Sequence, residues 1–292
     1  MNATEITTES KLKVPNLTAM AEYEDDIVVS GITGTKTLSG GAARLSSEIL
    51  DASDGETPLR EVVPAIGDAA TAVAIAEALY EDGILYPVEL LDPFDVDEGH
   101  RSLLESLLLG LDVTQRPAFA SRVQETTIGL YGDPTVAEAL REPLEAIGCS
   151  LDDPDPDVMV FVETESTRDR REVNRDWLDS EATLVRARLR GSTVEIGPLL
   201  TPSSDACLEC LTTRAELNDA HQRLDYRSIV SASTYETAFC GHVLTRLALQ
   251  AGLDRIPPEL VGEIRRFDCR TFEHTSARLL GVPGCEACDA ND

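Results

Sequence analysis

Lysine is almost missing from this chain. It has 292 residues with 25 Lys plus Arg, and only Lys11, Lys13 and Lys36 are lysines. Acidic residues number 53, which sets the formal charge at −28. Phosphate contacts need clustered base, so nucleic acid is not expected as a partner. Long apolar runs are missing too. None approaches the roughly 20 residues of a membrane helix, so no membrane association is expected. Residues 1–26 carry no apolar core of a secretory signal. Cysteine is sparse at seven, and four of the seven fall in two short pairs, which fits a reducing compartment better than a disulfide scaffold. A cytoplasmic protein is expected. The acid is spread along the chain instead of gathered in a tail. Repulsion of this size opposes compaction unless salt screens it, and molar salt shortens the Debye length to about 3 Å. The expected setting is the interior of a high-salt cell.

The two pairs are Cys207-Leu-Glu-Cys210 and Cys285-Glu-Ala-Cys288, separated by 74 residues (285 − 210 − 1). A tetrahedral Zn²⁺ takes four thiolates, and each C-x-x-C turn offers two sulfurs to one metal. The rival reading is two independent redox or free-thiol pairs. A closed Cys₄ site has no open position, so it is expected to be structural: Zn²⁺ tying the end of the chain to its middle.

Residues 1–21 lack periodicity and are expected to be loose. Residues 22–90 read as one small domain. Ile27–Ser30 and Thr35–Leu38 are strand candidates around a glycine turn, followed by helices over 40–50, from Thr57-Pro58, and over 69–81. Ile84–Tyr86 is a closing strand. This order of elements is winged-helix-like, yet the third helix contains no Lys or Arg, against a DNA-binding regulator. Residues 91–125 form an acidic connector and a leucine-striped helix. Residues 126–292 read as an α/β domain. Its parts are a strand Ile128–Gly132, a helix from Asp133-Pro134 that Pro143 should kink or end, and a buried parallel strand 157–162. A strand 184–189 alternates apolar residues with Arg186 and Arg188 and is expected to be half-exposed. A long helix, Tyr235–Ala251, has Phe239, Val243, Leu244, Leu247 and Ala251 as its core face, and strands follow within 261–272.

Strand–helix–strand, then Gly197-Pro198-Leu199-Leu200 leading into Cys207-x-x-Cys210, a long helix and a terminal Pro-Gly-Cys-x-x-Cys together resemble the E1-like, or ThiF/MoeB-like, fold. Within that group the chain resembles the cyclodehydratase partner proteins of azol(in)e-modified (TOMM) peptide clusters, a branch of RiPP biosynthesis whose products include bacteriocin-like peptides. The resemblance implies a winged-helix-like leader-peptide recognition element followed by a degenerate Rossmann-like domain. It also implies a precursor-peptide leader and a YcaO-type ATP-dependent cyclodehydratase as partners, and a homodimer, common in E1-like folds. The expected mode is strand addition of an extended leader to Thr35, Thr37 and Leu38, beside a groove formed by Val73, Ala76, Leu79 and Tyr80 of the third helix. Those four are also what a plain domain core would contain.

Departures from the E1 pattern bear on catalysis. The turn Gly129-Leu130-Tyr131-Gly132-Asp133 is not G-x-G-x-x-G. Tyr131 crowds it, Asp133 sets a negative charge at the phosphate position, and no lysine follows Lys36. ATP is therefore not expected to bind there, although Arg141, Arg168, Arg170 and Arg171 offer partial substitutes. Glu163-Thr164-Glu165 is either a Mg²⁺ site or solvated acid. Cys149, Cys240 and Cys269 read as core thiols instead of nucleophiles, and His100, His221, His242 and His274 form no catalytic spacing. The expected function is a non-catalytic scaffold presenting a precursor peptide to the cyclodehydratase. The alternatives are an active adenylating E1-like enzyme and a winged-helix regulator.

Overall fold

The computed structural model describes residues 5–16, 18–23, 26–31, 33–151, 153–163, 170–219 and 234–289. Thr164, Glu165, Arg168 and His221 lie outside the described residues. The chain divides into two compact units, Met1–Arg122 and Val123–Asp292.

In the first unit, β1 (Lys11–Lys13) is followed by β2 (Ala19–Tyr23), β3 (Asp26–Gly31) and β4 (Gly34–Ser39). Then come α1 (Gly40–Ala52), β5 (Asp54–Pro58), α2 (Val63–Ile66), α3 (Ala69–Glu81), β6 (Tyr86–Pro87), α4 (Glu98–Leu109) and the start of α5 (Phe119–Glu125). β2, β3 and β4 form an antiparallel sheet in that order, with α1 packed on β3, β4 and α3. The expectation of loose residues through position 21 fails at residues 5–13. β1 pairs with β5 and β6, and Ile6 and Leu12 are buried. Two buried apolar side chains at irregular spacing give no periodic signal, which is why the stretch reads as a tail. Thr57-Pro58 ends a strand instead of opening a helix. Asp54 turns that segment by accepting from the Glu56 and Thr57 amides at 2.7 and 2.8 Å. α3 has the expected bounds because Asp68 caps it, accepting from Thr71 N at 2.8 Å.

The core of this unit closes over Glu105. Its carboxylate is fully buried and accepts from Tyr86 Oη at 2.7 Å and from the Asn16 amide at 3.2 Å, with Lys13 Nζ 3.7 Å away. A buried carboxylate is tolerated only with such partners.

The second unit runs β7 (Thr127–Gly132), α6 (Pro134–Ile147), β8 (Ser150–Leu151), β9 (Val158–Glu163), α7 (Arg170–Leu178), β10 (Thr183–Arg190) and β11 (Thr193–Leu200). It ends with α8 (Leu208–Asp219), α9 (Thr234–Gly252), β12 (Glu263–Asp268), β13 (Glu273–Arg278) and α10 (Glu286–Asp289). One seven-stranded sheet has the order β13-β12-β11-β10-β9-β7-β8. The β8-β7-β9-β10 half is parallel and the β10-to-β13 half antiparallel. Every residue of β9 is buried, as a central parallel strand requires. Met159 and Phe161 join Val173, Trp177 and the zinc-type cysteines in one apolar cluster. The alternate residues Val158, Val160 and Val162 point the other way, where α9 packs against β9 and α6.

Pro143 neither ends α6 nor shortens it: the helix runs to Ile147, and Gly148 closes it with φ 94°. Proline leaves the Ala139 carbonyl without its helical donor. Gly241 of α9 packs against that turn. On α9 the expected Leu244, Leu247 and Ala251 are buried, together with Cys240, Gly241, Thr245, Ala248 and Leu249, while Phe239 is 38% exposed, so the expected face is shifted at its N-terminal end. The expected half-exposed strand 184–189 is also corrected. β10 is nearly all buried, and Arg186 is 1% exposed. Arg186 is held inside by Glu163 and Glu195, Arg188 is half-buried, and exposure returns at Arg190.

Candidate metal centre and the neighbouring arginine cavity

Each C-x-x-C pair sits at the start of a helix. Cys207 immediately precedes α8 and Cys210 lies in its first turn; Cys285 and Cys288 repeat this at α10. The four sulfurs lie within 4.8 Å of one another. Cys207 Sγ is 4.0 Å from Cys210 Sγ and 3.8 Å from Cys285 Sγ, and Cys210 Sγ is 3.6 Å from Cys288 Sγ. A tetrahedron with Zn–S bonds of about 2.3 Å separates its sulfurs by about 3.8 Å, so the donor set fits a tetrathiolate ion. The site is enclosed: Cys207, Cys210 and Cys285 are buried. Burial, then the neighbouring sulfurs, push the Cys288 thiol up. Burial opposes the Cys210 thiolate, yet hydrogen bonds, including one from the Val282 amide at 3.3 Å, lower it overall. Several thiolates crowded in a buried site require a cation. Such an ion would be held by Cys207, Cys210, Cys285 and Cys288, and its role would be to join α8 to α10, with no position left for a substrate.

The degenerate nucleotide turn is filled by its own side chains. A Cβ built on Gly129 would meet the Tyr131 ring at 2.8 Å, so that ring folds over the glycine. A Cβ on Gly132 would collide with the Val162 carbonyl, and φ is 101° there, so only glycine fits this close approach. Asp133 caps α6, accepting from the amides of Thr135 at 2.9 Å and Val136 at 3.2 Å. A phosphate at this helix end would have to replace that carboxylate. Glu163, at the end of β9, is not free solvated acid. Arg186 donates to it from Nε at 2.9 Å and Nη2 at 2.8 Å, and Arg170 also pairs with it.

Sequence reasoning missed Arg186 as a structural hub. Besides Glu163 it serves Glu195 at 2.8 Å and the Gly197 carbonyl at 2.7 Å. Glu195 in turn accepts from Arg266 at 2.9 Å. The signal was present: Arg186, Arg188 and Arg190 occupy alternate positions and therefore one face of β10. What the sequence could not supply was the carboxylate row from β9 and β11 that meets them.

The remaining candidate residues separate by burial. In the first unit Thr35 and Thr37 are exposed on β4 and Leu38 is half-buried, and β4 is an edge of its sheet. On α3, Val73 is half-buried, whereas Ala76, Leu79 and Tyr80 are buried. Tyr80 is held from within: Arg116 donates to its carbonyl and lies 4.7 Å over its ring. Cys149 and Cys240 are buried, which pushes both thiols up to about 12 and keeps them protonated at neutral pH. His100 pairs with Asp97 at 3.0 Å at the start of α4.

No family model matches the chain, and no curated protein matches it. Solved structures do. A heterocyclase in complex with substrate and cofactor superposes with a TM-score of 0.69 at 18% identity, over 96% of this chain and 39% of that one. The heterocyclase TruD gives 0.67 at 19%, over 96% and 43%. The microcin C7 biosynthetic enzyme MccB in complex with N-formylated MccA gives 0.63 at 10%, over 95% and 99%. The chain thus spans about two fifths of the heterocyclases and nearly all of MccB. No helix among the described residues is long and apolar enough to cross a membrane. The chain has the mixed α/β fold found in these heterocyclase and MccB structures, with a four-cysteine cluster fit for a metal.

Proposed function

We propose that this chain is a leader-peptide-binding scaffold that presents a ribosomal precursor peptide to a YcaO-type ATP-dependent cyclodehydratase for azoline formation. One observation carries the reading. The fold of a heterocyclase that binds a substrate extends over 96% of the chain, while the turn where an E1-like enzyme would hold phosphate is closed by Tyr131 and Asp133. About three fifths of the heterocyclase chain lies outside the match, and the chemistry is assigned to a separate partner. The leader would add to the open edge of β4 at Thr35 and Thr37, with Leu38 and Val73 as its accessible apolar contacts. Ala76, Leu79 and Tyr80 shape the groove from beneath. Zn²⁺ on the four cysteines would hold the second unit together. Tethering the peptide raises its concentration at the enzyme to the millimolar range. A charge of −28 fits a cytoplasm rich in salt.

The test combines the chain with the YcaO-type enzyme and the short precursor encoded near its gene, in high salt. The expected result is loss of water from the intact precursor, strongly dependent on the chain, and little from a leaderless precursor. Equal rates without the chain would overturn the proposal. A second reading, an active adenylating enzyme, is favoured by the match over 99% of MccB. Pyrophosphate exchange by the chain alone would establish it in place of the scaffold.

A further inference from the structure

One cavity of about 600 Å³ in the second unit runs against the charge of the whole molecule. The chain has 22 arginines (25 Lys plus Arg less three Lys), and seven of them line this single space. β10 supplies Arg186, Arg188 and Arg190; α7 supplies Arg170, α8 Arg214, β12 Arg266 and β13 Arg278. Among the described residues Glu195 is the carboxylate of the lining, and Glu163 pairs with Arg170 and Arg186. The placement follows from register. Arg188 lies opposite Glu195, and Glu195 opposite Arg266, so one row crosses three strands on one face. The crowding is felt locally. Burial, then the positive neighbours Arg186 and Arg188, bring Arg170 down to about 10. Its Nε is buried and has no acceptor among the described residues. Glu163 and Glu195 hold Arg170, Arg186 and Arg266 from within, and the exposed Arg190 and Arg278 add further positive charge to the same space on a protein of −28.

We infer that this cavity binds an extended acidic peptide segment. Two observations favour a peptide over an oligophosphate. The same cavity is also lined by the apolar side chains of Leu211, Ile264, Ala277 and Leu279, which suits a chain of mixed acidic and apolar side chains. The cavity wall includes Ala277 and Arg278 of β13, and β13 is the outer strand of the seven-stranded sheet, so its free edge offers backbone hydrogen bonds to an added strand. Of the helices, α8 contributes from its middle, at Leu211, Arg214 and Ala215. α7 contributes Arg170, its first residue. Guanidinium groups match carboxylates in bidentate fashion, and Arg186 already holds Glu163 and Glu195 here. The inference draws on the proposed scaffold role only for the origin of the natural peptide. The site itself stands on the cavity.

The probe is a short fluorescein-labelled peptide of alternating Glu and Val, read by anisotropy on the full chain at the lowest salt that leaves its melting temperature unchanged. Binding is expected, with a Gln/Val counterpart at least about tenfold weaker, since charge carries the recognition. The double variant R190E/R278E changes two exposed side chains. It should weaken the Glu/Val peptide by at least about tenfold while its circular dichroism melt stays unchanged. Val73→Arg, in the proposed leader groove, should leave this binding unaltered, so failure of either site is read separately. Equal binding of Gln/Val, insensitivity to R190E/R278E, or displacement by tripolyphosphate at concentrations below the peptide's own would each overturn the inference. So would a dimer abolished by R278E that excludes the peptide, since a second copy would then be the occupant.

Discussion

Arg186 places two of its nitrogens on a single oxygen of Glu163, Nε at 2.9 Å and Nη2 at 2.8 Å, with the guanidinium 1% exposed. Its third nitrogen bridges Glu195 and the Gly197 carbonyl. This one side chain ties β9, β10 and β11 together. Truncating one partner of a buried pair leaves the others charged and unsatisfied, at a cost of about 3–5 kcal/mol. Arg186→Met should therefore lower the unfolding free energy by about that amount, read from urea denaturation in constant salt. Arg186→Lys keeps the charge but not the fork, and should fall between the two. Arg186→Met combined with Glu163→Gln should cost less than the sum of the single changes.

Glu195 gives the same network a pH signature. Burial works against its carboxylate, but Arg186 and then Arg266 outweigh burial and hold its pKa below the usual 4.5. A depressed carboxylate contributes stability that is complete above the unfolded value and is lost as pH falls through the folded value. The melting temperature should therefore hold above pH 4.5 and drop below it. Glu195→Gln should be less stable at neutral pH and show a shallower acid slope. An unchanged slope would mean that Glu195 plays no part in acid unfolding.

Much of this architecture was readable because it depends on local pattern. The apolar run at 158–162, the Asp133-Pro134 helix start and the paired cysteines each follow from neighbours in sequence. The failures share a different cause. β1 is held by Ile6 and Leu12 meeting distant strands, and α6 passes Pro143 with α9 packed against its freed turn. Arg186 reads as a solvent-facing residue of an alternating strand until Glu163 and Glu195 are brought to it from other strands. The arginine cavity draws on six elements, and no single window of sequence contains it. On α3, the same stripe serves core and groove alike, and burial alone separates Val73 from Ala76, Leu79 and Tyr80.

Gly132 marks where the strand-to-helix turn admits no side chain. Its φ is 101°, and a methyl group there would run into the Val162 carbonyl. Both the backbone conformation and the space oppose substitution, so Gly132→Ala should cost about 3 kcal/mol or more. Gly191 provides the control. Its φ is 59° and nothing lies near an added Cβ, so Gly191→Ala should cost only about 1–2 kcal/mol. Chemical denaturation of the two variants side by side checks the difference, and equal losses would remove the steric account of the turn.

The cysteine cluster makes a prediction that separates a metal centre from two independent thiol pairs. Sulfur separations of 3.6 to 4.0 Å match those around one tetrahedral ion. The purified chain should therefore carry one zinc per molecule, and a thiolate-specific reagent should release it. Structural zinc contributes on the order of 10 kcal/mol in small isolated modules; in this larger unit the α/β core bears part of the load, so chelation should lower the melting temperature without unfolding β7 to β10. Cys285→Ser alone should lose the metal as fully as Cys207→Ser, because each pair supplies only half of the donors. Redox pairs behave differently: Cys285→Ser would leave Cys207 and Cys210 chemically unchanged, and air would join them in a disulfide. Metal that persists after Cys285→Ser, or a chain isolated with none, would leave α10 without its tie to α8.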